Sequence, residues 1–386
     1  MQRDPAALKA ALADLEQRHL RRSRRVGLRP GVVNFCSNDY LGLASHPDVV
    51  RAFQDAAAKY GVGSGASHLV TGHGPEHHAL EESLAAFTGR ERALVYSTGY
   101  MANLGLIGAL ADQTATVVSD KLNHASLIDG CRLTRAHSLR YRHGDAAHAQ
   151  QLLAELDSSI DTRLLITDGV FSMDGDLAPL PELARAARAS HAWLIVDDAH
   201  GLGVVGASGR GVCEHFGLSA DDVPALVGTF GKAFGTFGAF VAGDADLVEF
   251  LIQKSRPYIY TTALPAAVAA ATRTALEVSE RESWRREKAL ALAERFRRGL
   301  AEVFPVSRPG TDVADVGTTI VPVIVGEAQR ALAISKSLED KGFLVSAIRP
   351  PTVPAGTARL RVTLSATHEE RQVDALIAAF QELLAA

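Results

Sequence analysis

Lys232 stands in Gly228-Thr229-Phe230-Gly231-Lys232-Ala233-Phe234-Gly235, directly after the apolar run Ala225-Leu226-Val227. Lysine is among the residues least often buried. An amine held in apolar surroundings has a depressed pKa, because desolvation disfavours the ammonium, and a neutral amine can add to an aldehyde to form a Schiff base. Upstream, Trp193-Leu194-Ile195-Val196-Asp197-Asp198-Ala199-His200 is an apolar run of strand length that ends in two acids and a histidine. A buried parallel strand delivers polar groups to its carboxyl end in this way, where open α/β sheets hold their ligands. The chain between Asp197 and Lys232 has room for a crossover and a second strand.

A carboxylate and a lysine at neighbouring strand ends are the two contacts that pyridoxal phosphate (PLP) needs, one for its ring nitrogen and one for its aldehyde. The phosphate of such a cofactor is best held by free amides at a helix N-terminus. Ser97-Thr98-Gly99-Tyr100-Met101-Ala102-Asn103 follows a strand pattern at Ala93 to Tyr96 and opens a helix, so it has that position. Gly99 would let the backbone approach closely. The hydroxyl of Thr229 could reach the same phosphate. Two further glycine clusters fail as nucleotide sites. Gly61-Val62-Gly63-Ser64-Gly65 follows a helical pattern instead of a strand, and Gly228 to Lys232 lacks the spacing and hydroxyl of a P-loop.

Among 14 histidines, His73, His77 and His78 lie around Gly74-Pro75 without a cysteine partner or an HExxH pattern. They read as an exposed loop and helix start, and no metal site is expected. His124 follows the strand Thr116 to Asp120 and begins a helix. It can stack on a cofactor ring and act as an acid, or simply pack at a helix start; the residues alone leave both open.

The elements that must position these groups alternate along the chain. An amphipathic helix at Ala6 to Leu20 and a short strand at Val32 to Ser37 form an N-terminal arm. Helices follow near Asp48 to Tyr60, Glu76 to Thr88 and Ala102 to Ala111. Strands are expected at Ala93 to Tyr96, Thr116 to Asp120, Leu164 to Asp168, Leu194 to Asp197, Leu226 to Phe230 and Ala239 to Ala242. This alternation predicts an α/β fold with a mostly parallel central sheet covered on both faces. A long helix from Val268 to about Val303, broken near Glu282, then bridges to a smaller α+β lobe. That lobe has strands at Thr319 to Val325, near Leu344 and at Arg359 to Leu364, with helices at Glu327 to Lys341 and Glu369 to Leu384. The stiff segment Pro350-Pro351-Thr352-Val353-Pro354 suits a loop shaped over the site. We divide the chain into an arm (1–46), a large PLP-binding domain (47–282) and a small C-terminal domain (283–386).

With 386 residues and 47% hydrophobic content, the chain can bury a large core. Lys+Arg 40 against Asp+Glu 44 gives a net charge of −4, so no basic field exists to hold nucleic acid or an anionic membrane. The basic run Arg18 to Arg25 reads as a solvated helix face, with contact to an anionic substrate as the alternative. Cys36, Cys131 and Cys213 fit neither a disulfide framework nor a CxxC site, which points to a reducing cytoplasm. No stretch approaches the roughly 20 apolar residues of a membrane span, and a soluble protein is expected.

Six segments carry a resemblance: Asn34-Phe35-Cys36-Ser37-Asn38-Asp39-Tyr40-Leu41-Gly42-Leu43, Ser119-Asp120-Lys121-Leu122-Asn123-His124-Ala125-Ser126, Gly169-Val170-Phe171-Ser172-Met173-Asp174-Gly175, Asp197-Asp198-Ala199-His200-Gly201, Thr229-Phe230-Gly231-Lys232 and Thr352-Val353-Pro354-Ala355-Gly356-Thr357-Ala358-Arg359-Leu360-Arg361. In this order they resemble the α-oxoamine synthases, PLP enzymes of the fold-type I, aspartate-aminotransferase-like class. The resemblance implies a PLP-dependent acyltransferase that condenses an amino acid with an acyl thioester and releases carbon dioxide. The version of Ile348 to Pro354 is similar to that of members acting on L-alanine and a pimeloyl thioester in biotin biosynthesis. By the same resemblance, Lys232 is the attachment lysine, Asp197 faces the pyridine nitrogen, and His124 stacks on the ring. Ser172 and His200 lie near the ring hydroxyl, and Gly99, Tyr100 and Thr229 lie at the phosphate. Asn38, Thr352, Arg361 and, with them, Arg349 and Arg21 are implied substrate contacts. Thr261 and Thr262 would reach the phosphate from a second subunit, making the active unit a homodimer. The competing readings are a glycine-using synthase of the same family and a non-catalytic partner subunit that keeps the fold.

Overall fold

A computed structural model describes residues 4–27, 29–301 and 317–385. Its centre is a seven-stranded sheet. In chain order the strands of the molecule are β1 (Val33–Asn34), β2 (Arg92–Tyr96), β3 (Thr116–Asp120), β4 (His137–Tyr141), β5 (Arg163–Asp168), β6 (Trp193–Asp197), β7 (Ala225–Thr229), β8 (Ala239–Gly243), β9 (Ile320–Gly326), β10 (Phe343–Leu344), β11 (Ser346–Ile348) and β12 (Ala358–Thr363). The central sheet has the order β2-β8-β7-β6-β5-β3-β4, with β8 antiparallel to both neighbours and every other pairing parallel.

The apolar strand runs are continuous because both faces are covered. Successive residues point to opposite sides. Leu165, Leu194, Val196 and Leu226 enter one core, while Leu164, Ile166, Ile195 and Val227 enter the other. Helices Pro75–Thr88, Leu180–Ala189 and Ala266–Arg281 pack on the first face; Gly99–Leu110, Ala125–Thr134 and Ala245–Lys254 pack on the second. At the carboxyl edge Asp168 is in register with Asp197, and Asp197 with Val227. Two acids and the start of the lysine turn are therefore side by side.

The helix expected from Val268 is two helices, Ala266–Arg281 and Trp284–Ala301, separated at Glu282. The former packs on the central sheet, whereas Leu292, Phe296 and Leu300 of the latter belong to a separate core. The expected end at Val303 lies outside the described residues. That second core contains the three-stranded sheet β11-β12-β9, helices Ala328–Asp340 and Glu370–Ala385, and Phe35 from the N-terminal arm. The arm is stitched on by β1, which pairs in parallel with β10 and is only two residues long, shorter than the strand expected at Val32 to Ser37. Helix Pro5–Gln17 buries none of its residues.

The basic run is not a helix face. The helix ends at Gln17, and Arg25 then clamps Glu339 through two 2.7 Å contacts, with Arg29 adding a third at 3.1 Å. The carboxylate at the end of Ala328–Asp340 thus draws the arginines onto the small domain. Among the described residues no helix is long and apolar enough to cross a membrane.

The lysine turn joins β7 to β8. Phe230 N–H donates to Gly238 O and Thr236 N–H to Phe230 O, each at 2.9 Å, and Gly235 N–H closes on Lys232 O at 2.9 Å. Gly235 has φ +66, and a Cβ there would sit 2.2 Å from Ala44 N. A side chain would meet both a left-handed backbone and an immovable neighbour. Gly235→Ala is therefore expected to destabilise the protein by about 2 to 4 kcal/mol, read as a lower thermal unfolding midpoint; an unchanged midpoint would show that the turn can relax.

Candidate active site

The carboxyl edge of the sheet opens into a pocket of about 190 Å³. Lys232, Asp197, His124, His200, Ser172, Gly99, Tyr100 and Thr229 all line it, so eight residues singled out from the sequence converge on one cavity. Burial lowers the Lys232 amine to about 8, with the Asp197 charge the largest pull the other way. An amine poised there is available as a base and nucleophile near neutrality.

Asp197 accepts hydrogen bonds at both oxygens, from Asn103 Nδ2 at 2.6 Å and from Ala199 N–H at 3.1 Å. Asn103 also donates to Ser126 Oγ at 2.8 Å. The Ser126 hydroxyl proton is then free for His124 Nδ1, 2.7 Å away, and Ser126 N–H points at the same nitrogen from 3.3 Å. Nδ1 of His124 is therefore an acceptor, which leaves Nε2–H for the pocket. Of the two open readings, packing at a helix start is seen, since His124 caps helix Ala125–Thr134, and the same ring also lines the cavity. Burial lowers its pKa, favouring the neutral ring.

Asp168 accepts from His124 N–H at 2.7 Å and is fixed by Asn123, whose Oδ1 accepts from Asp168 N–H at 2.9 Å. Burial, reinforced by the Asp197 charge, raises its pKa well above the usual carboxylate value. Asp198 is likewise pushed up by burial, and its Oδ2 accepts from Val212 N–H at 2.8 Å. The strand ends thus gather three acids, two of which burial drives toward the neutral form.

Behind His200, Tyr40 is fully buried, with its hydroxyl 2.7 Å from His200 Nδ1 and 3.1 Å from Asn38 Oδ1. Nδ1 of His200 is thereby engaged, and Nε2 is left to the pocket. Burial holds the His200 pKa well below its ordinary value, and Lys232 and Arg361 add to that effect. Arg361, on β12, donates through Nε to Ser172 O at 2.5 Å and through Nη1 to Asn38 Oδ1 at 3.2 Å; its Nη2 lies 3.5 Å from the Tyr40 hydroxyl. A guanidinium has five N–H donors. One on each terminal nitrogen has no partner among the described residues.

Beside this pocket, and sharing Ser172 with it, lies a groove of about 270 Å³ whose walls include Ile128, Phe171, Thr352, Val353 and Pro354. Pro351, Thr352, Val353 and Pro354 of the proline-rich segment line this groove and not the pocket itself. Arg21 and Arg349, expected at the substrate, line neither of these two cavities. Arg21 pairs with Glu16 at 2.7 Å on the exposed arm, and Arg349 donates to His19 O and Arg21 O at 2.6 and 2.8 Å. Both are held by arm partners, and Arg22 is the one that reaches Thr352 Oγ1, at 3.1 Å. Thr261 and Thr262 do not line their own chain's pocket; Thr262 bridges to Ser67.

The sequence reading missed Asn103, Ser126, Asp168 and Tyr40. Asp168 closes an apolar strand just as Asp197 does, and Asn103 is an amide inside an otherwise apolar helix, a position that side chain disfavours without a partner. Both signals were present.

Residues 30–380 match the aminotransferase class I and II family. The chain is 57% identical to an 8-amino-7-oxononanoate synthase of Methylococcus capsulatus across 98% of each protein. The chain belongs to this family. Two solved structures are similar. A serine palmitoyltransferase from S. paucimobilis with bound PLP and myriocin has a TM-score of 0.90 at 32% identity, over 99% of this chain and 98% of that one. An 8-amino-7-oxononanoate synthase from Francisella tularensis has a TM-score of 0.78 at 30% identity, over 92% and 97%. The fold is PLP fold type I, and the chain is a PLP-dependent enzyme. The 8-amino-7-oxononanoate synthase family thus accounts for a half-buried amine and a twice hydrogen-bonded carboxylate on one pocket, beside a helix whose first amides, Gly99 and Tyr100, are free of protein partners among the described residues.

Asn103 ties Asp197 to His124, so its loss should disturb both. Asn103→Ala removes a hydrogen bond to a charged group worth about 1.5 to 3 kcal/mol, which corresponds to a fall in kcat of roughly ten- to hundredfold with circular dichroism unchanged. A wild-type kcat would show that Asp197 is held without it.

Proposed function

We propose that this enzyme joins L-alanine to a pimeloyl thioester, carried by coenzyme A or a carrier protein, to give 8-amino-7-oxononanoate, carbon dioxide and free thiol in biotin biosynthesis. The observation that carries this reading is the pocket: Lys232 and Asp197 face one cavity, and Arg361 stands beside it with two uncommitted N–H donors. The 57% identity to a synthase of that name supports the choice of substrates.

The residues fit PLP. Lys232 offers the amine, Asp197 a carboxylate for the ring nitrogen, His124 a ring face, His200 and Ser172 polar groups for the ring hydroxyl, and Gly99, Tyr100 and Thr229 the phosphate end. When bound, PLP supplies an aldehyde for the amino group and a ring that spreads carbanion charge. Arg361 grips the substrate carboxylate as a planar fork, which lysine could not reproduce. Asn38 and Ser172 fix that fork from behind. Lys232, neutral above about pH 8, takes the proton from the alanine Cα and later returns it. Asp197 would hold a proton at the ring nitrogen of the bound group. His124 offers Nε2–H to the carbonyl oxygen of the thioester as negative charge develops there. The groove by Val353 and Pro354 receives the apolar acyl chain.

We assign a homodimer, in which Thr261 and Thr262 serve the partner's phosphate site, and a cytoplasmic location. Their absence from their own chain's pocket supports the first.

Purified enzyme with PLP, L-alanine and pimeloyl-CoA should release thiol and form the amino ketone, and Lys232→Ala should be folded but inactive. A methyl group is worth about 1 to 3 kcal/mol in a pocket. Faster turnover with glycine than with alanine would overturn the substrate assignment, and turnover by Lys232→Ala would overturn the lysine's role.

A further inference from the structure

Away from the pocket, four histidines and a glutamate collect where helix Pro75–Thr88 begins. His73 lies in the loop and His77 and His78 in the helix start, as expected, but only His78 is exposed. His77 is buried, with Gly74 N–H donating to its Nδ1 at 3.0 Å and its Nε2–H donating to Leu264 O at 2.6 Å. Both its nitrogens are used, so it is structural. His73 is different. Its Nδ1 lies 3.0 Å from Nδ1 of His68, a buried ring stacked on Tyr258 at 4.8 Å. If His73 Nδ1–H donates to His68, the lone pair of His73 Nε2 is left facing Glu81 Oε2 at 3.9 Å, too far for a hydrogen bond. Glu81 is fixed from behind, since Val95 N–H donates to its Oε1 at 3.0 Å. His78 and Glu81 lie on one helix face, three residues apart, and one ligand atom from each of His73, His78 and Glu81 falls within 4.8 Å of the others.

We propose that His73, His78 and Glu81 form a binding site for a divalent transition metal of the zinc class, water completing the shell. Two imidazoles and a carboxylate are a typical open zinc set, whose donors stand about 3.4 Å apart when the metal bonds are about 2.1 Å. The donor atoms, within 4.8 Å of one another, lie close to that spacing. Two of the three ligands already have the outer partner that metal sites use to orient them: His68 for His73, and the Val95 amide for Glu81. His78 is exposed, which gives the ion a way in. The bound ion would pin segment 68–73 to the helix. That segment continues from Ser67 and Ala66, which pair with Thr262 and Ala263, so the site braces the strip that carries Thr261 and Thr262.

The test is calorimetric titration of zinc chloride alone into the chelator-treated holoenzyme, with thermal unfolding in parallel. The expected result is one zinc per chain and a raised unfolding midpoint. Affinity should fall by at least about tenfold in both His78→Ala, a surface change, and Glu81→Gln, which keeps the acceptor for Val95. Unchanged affinity in either variant, or no binding with about 100 µM zinc, overturns the proposal.

Discussion

The structure turns on one electrostatic constraint: an amine and a carboxylate, Lys232 and Asp197, are kept facing one pocket. Burying either group alone is costly. Their mutual attraction offsets part of that cost, and the remainder is met by fixed dipoles. Asp197 takes two hydrogen bonds from Asn103 and Ala199. Its neighbours Asp168 and Asp198 are pushed toward neutrality by burial, so negative charge is concentrated on one residue. The Lys232 amine settles at about 8 instead of its ordinary value. The parallel sheet is the means of enforcing this arrangement, because it aligns the ends of β5, β6 and β7 in register.

The second core supplies what the sheet cannot. β12 carries Arg361 to the pocket, where Ser172 of the large core and Asn38 of the arm hold its guanidinium. Tyr40 joins Asn38 to His200 and lies beside Arg361, so the arm, the small domain and the turn after β6 meet in a single polar network. The arm is secured at a distance by Arg25 on Glu339 and by Arg349 on the backbone of His19 and Arg21. A substrate carboxylate bound by Arg361 would therefore be felt by both cores.

Legibility in the sequence followed distance along the chain. The strands β5 to β8 and the break at Glu282 could be read because local apolar runs and polar punctuation create them. Lys232, Asp197 and His124 could be read because each closes or follows such a run. Strand β4 and the helices Ala146–Ala154 and Leu180–Ala189 were not anticipated; β4 is an edge strand with three exposed residues and no apolar run. Asn103 and Tyr40 act on partners 94 and 160 residues away, and no local pattern encodes that. Arg21 and Arg349 were placed at the substrate by resemblance, and their pairing here with a neighbouring glutamate and with the arm's own backbone is likewise invisible to any local pattern.

The most direct test of the central constraint is the pH dependence of the rate at which the apoprotein takes up PLP, followed by absorbance. An amine depressed by burial must be deprotonated to react, so the rate should rise with pH, pass its midpoint near 8 and level off. Asp197→Asn should shift the midpoint downward, because the charge that opposes burial is gone. A rate still climbing beyond about pH 10, where an ordinary lysine titrates, would contradict the account.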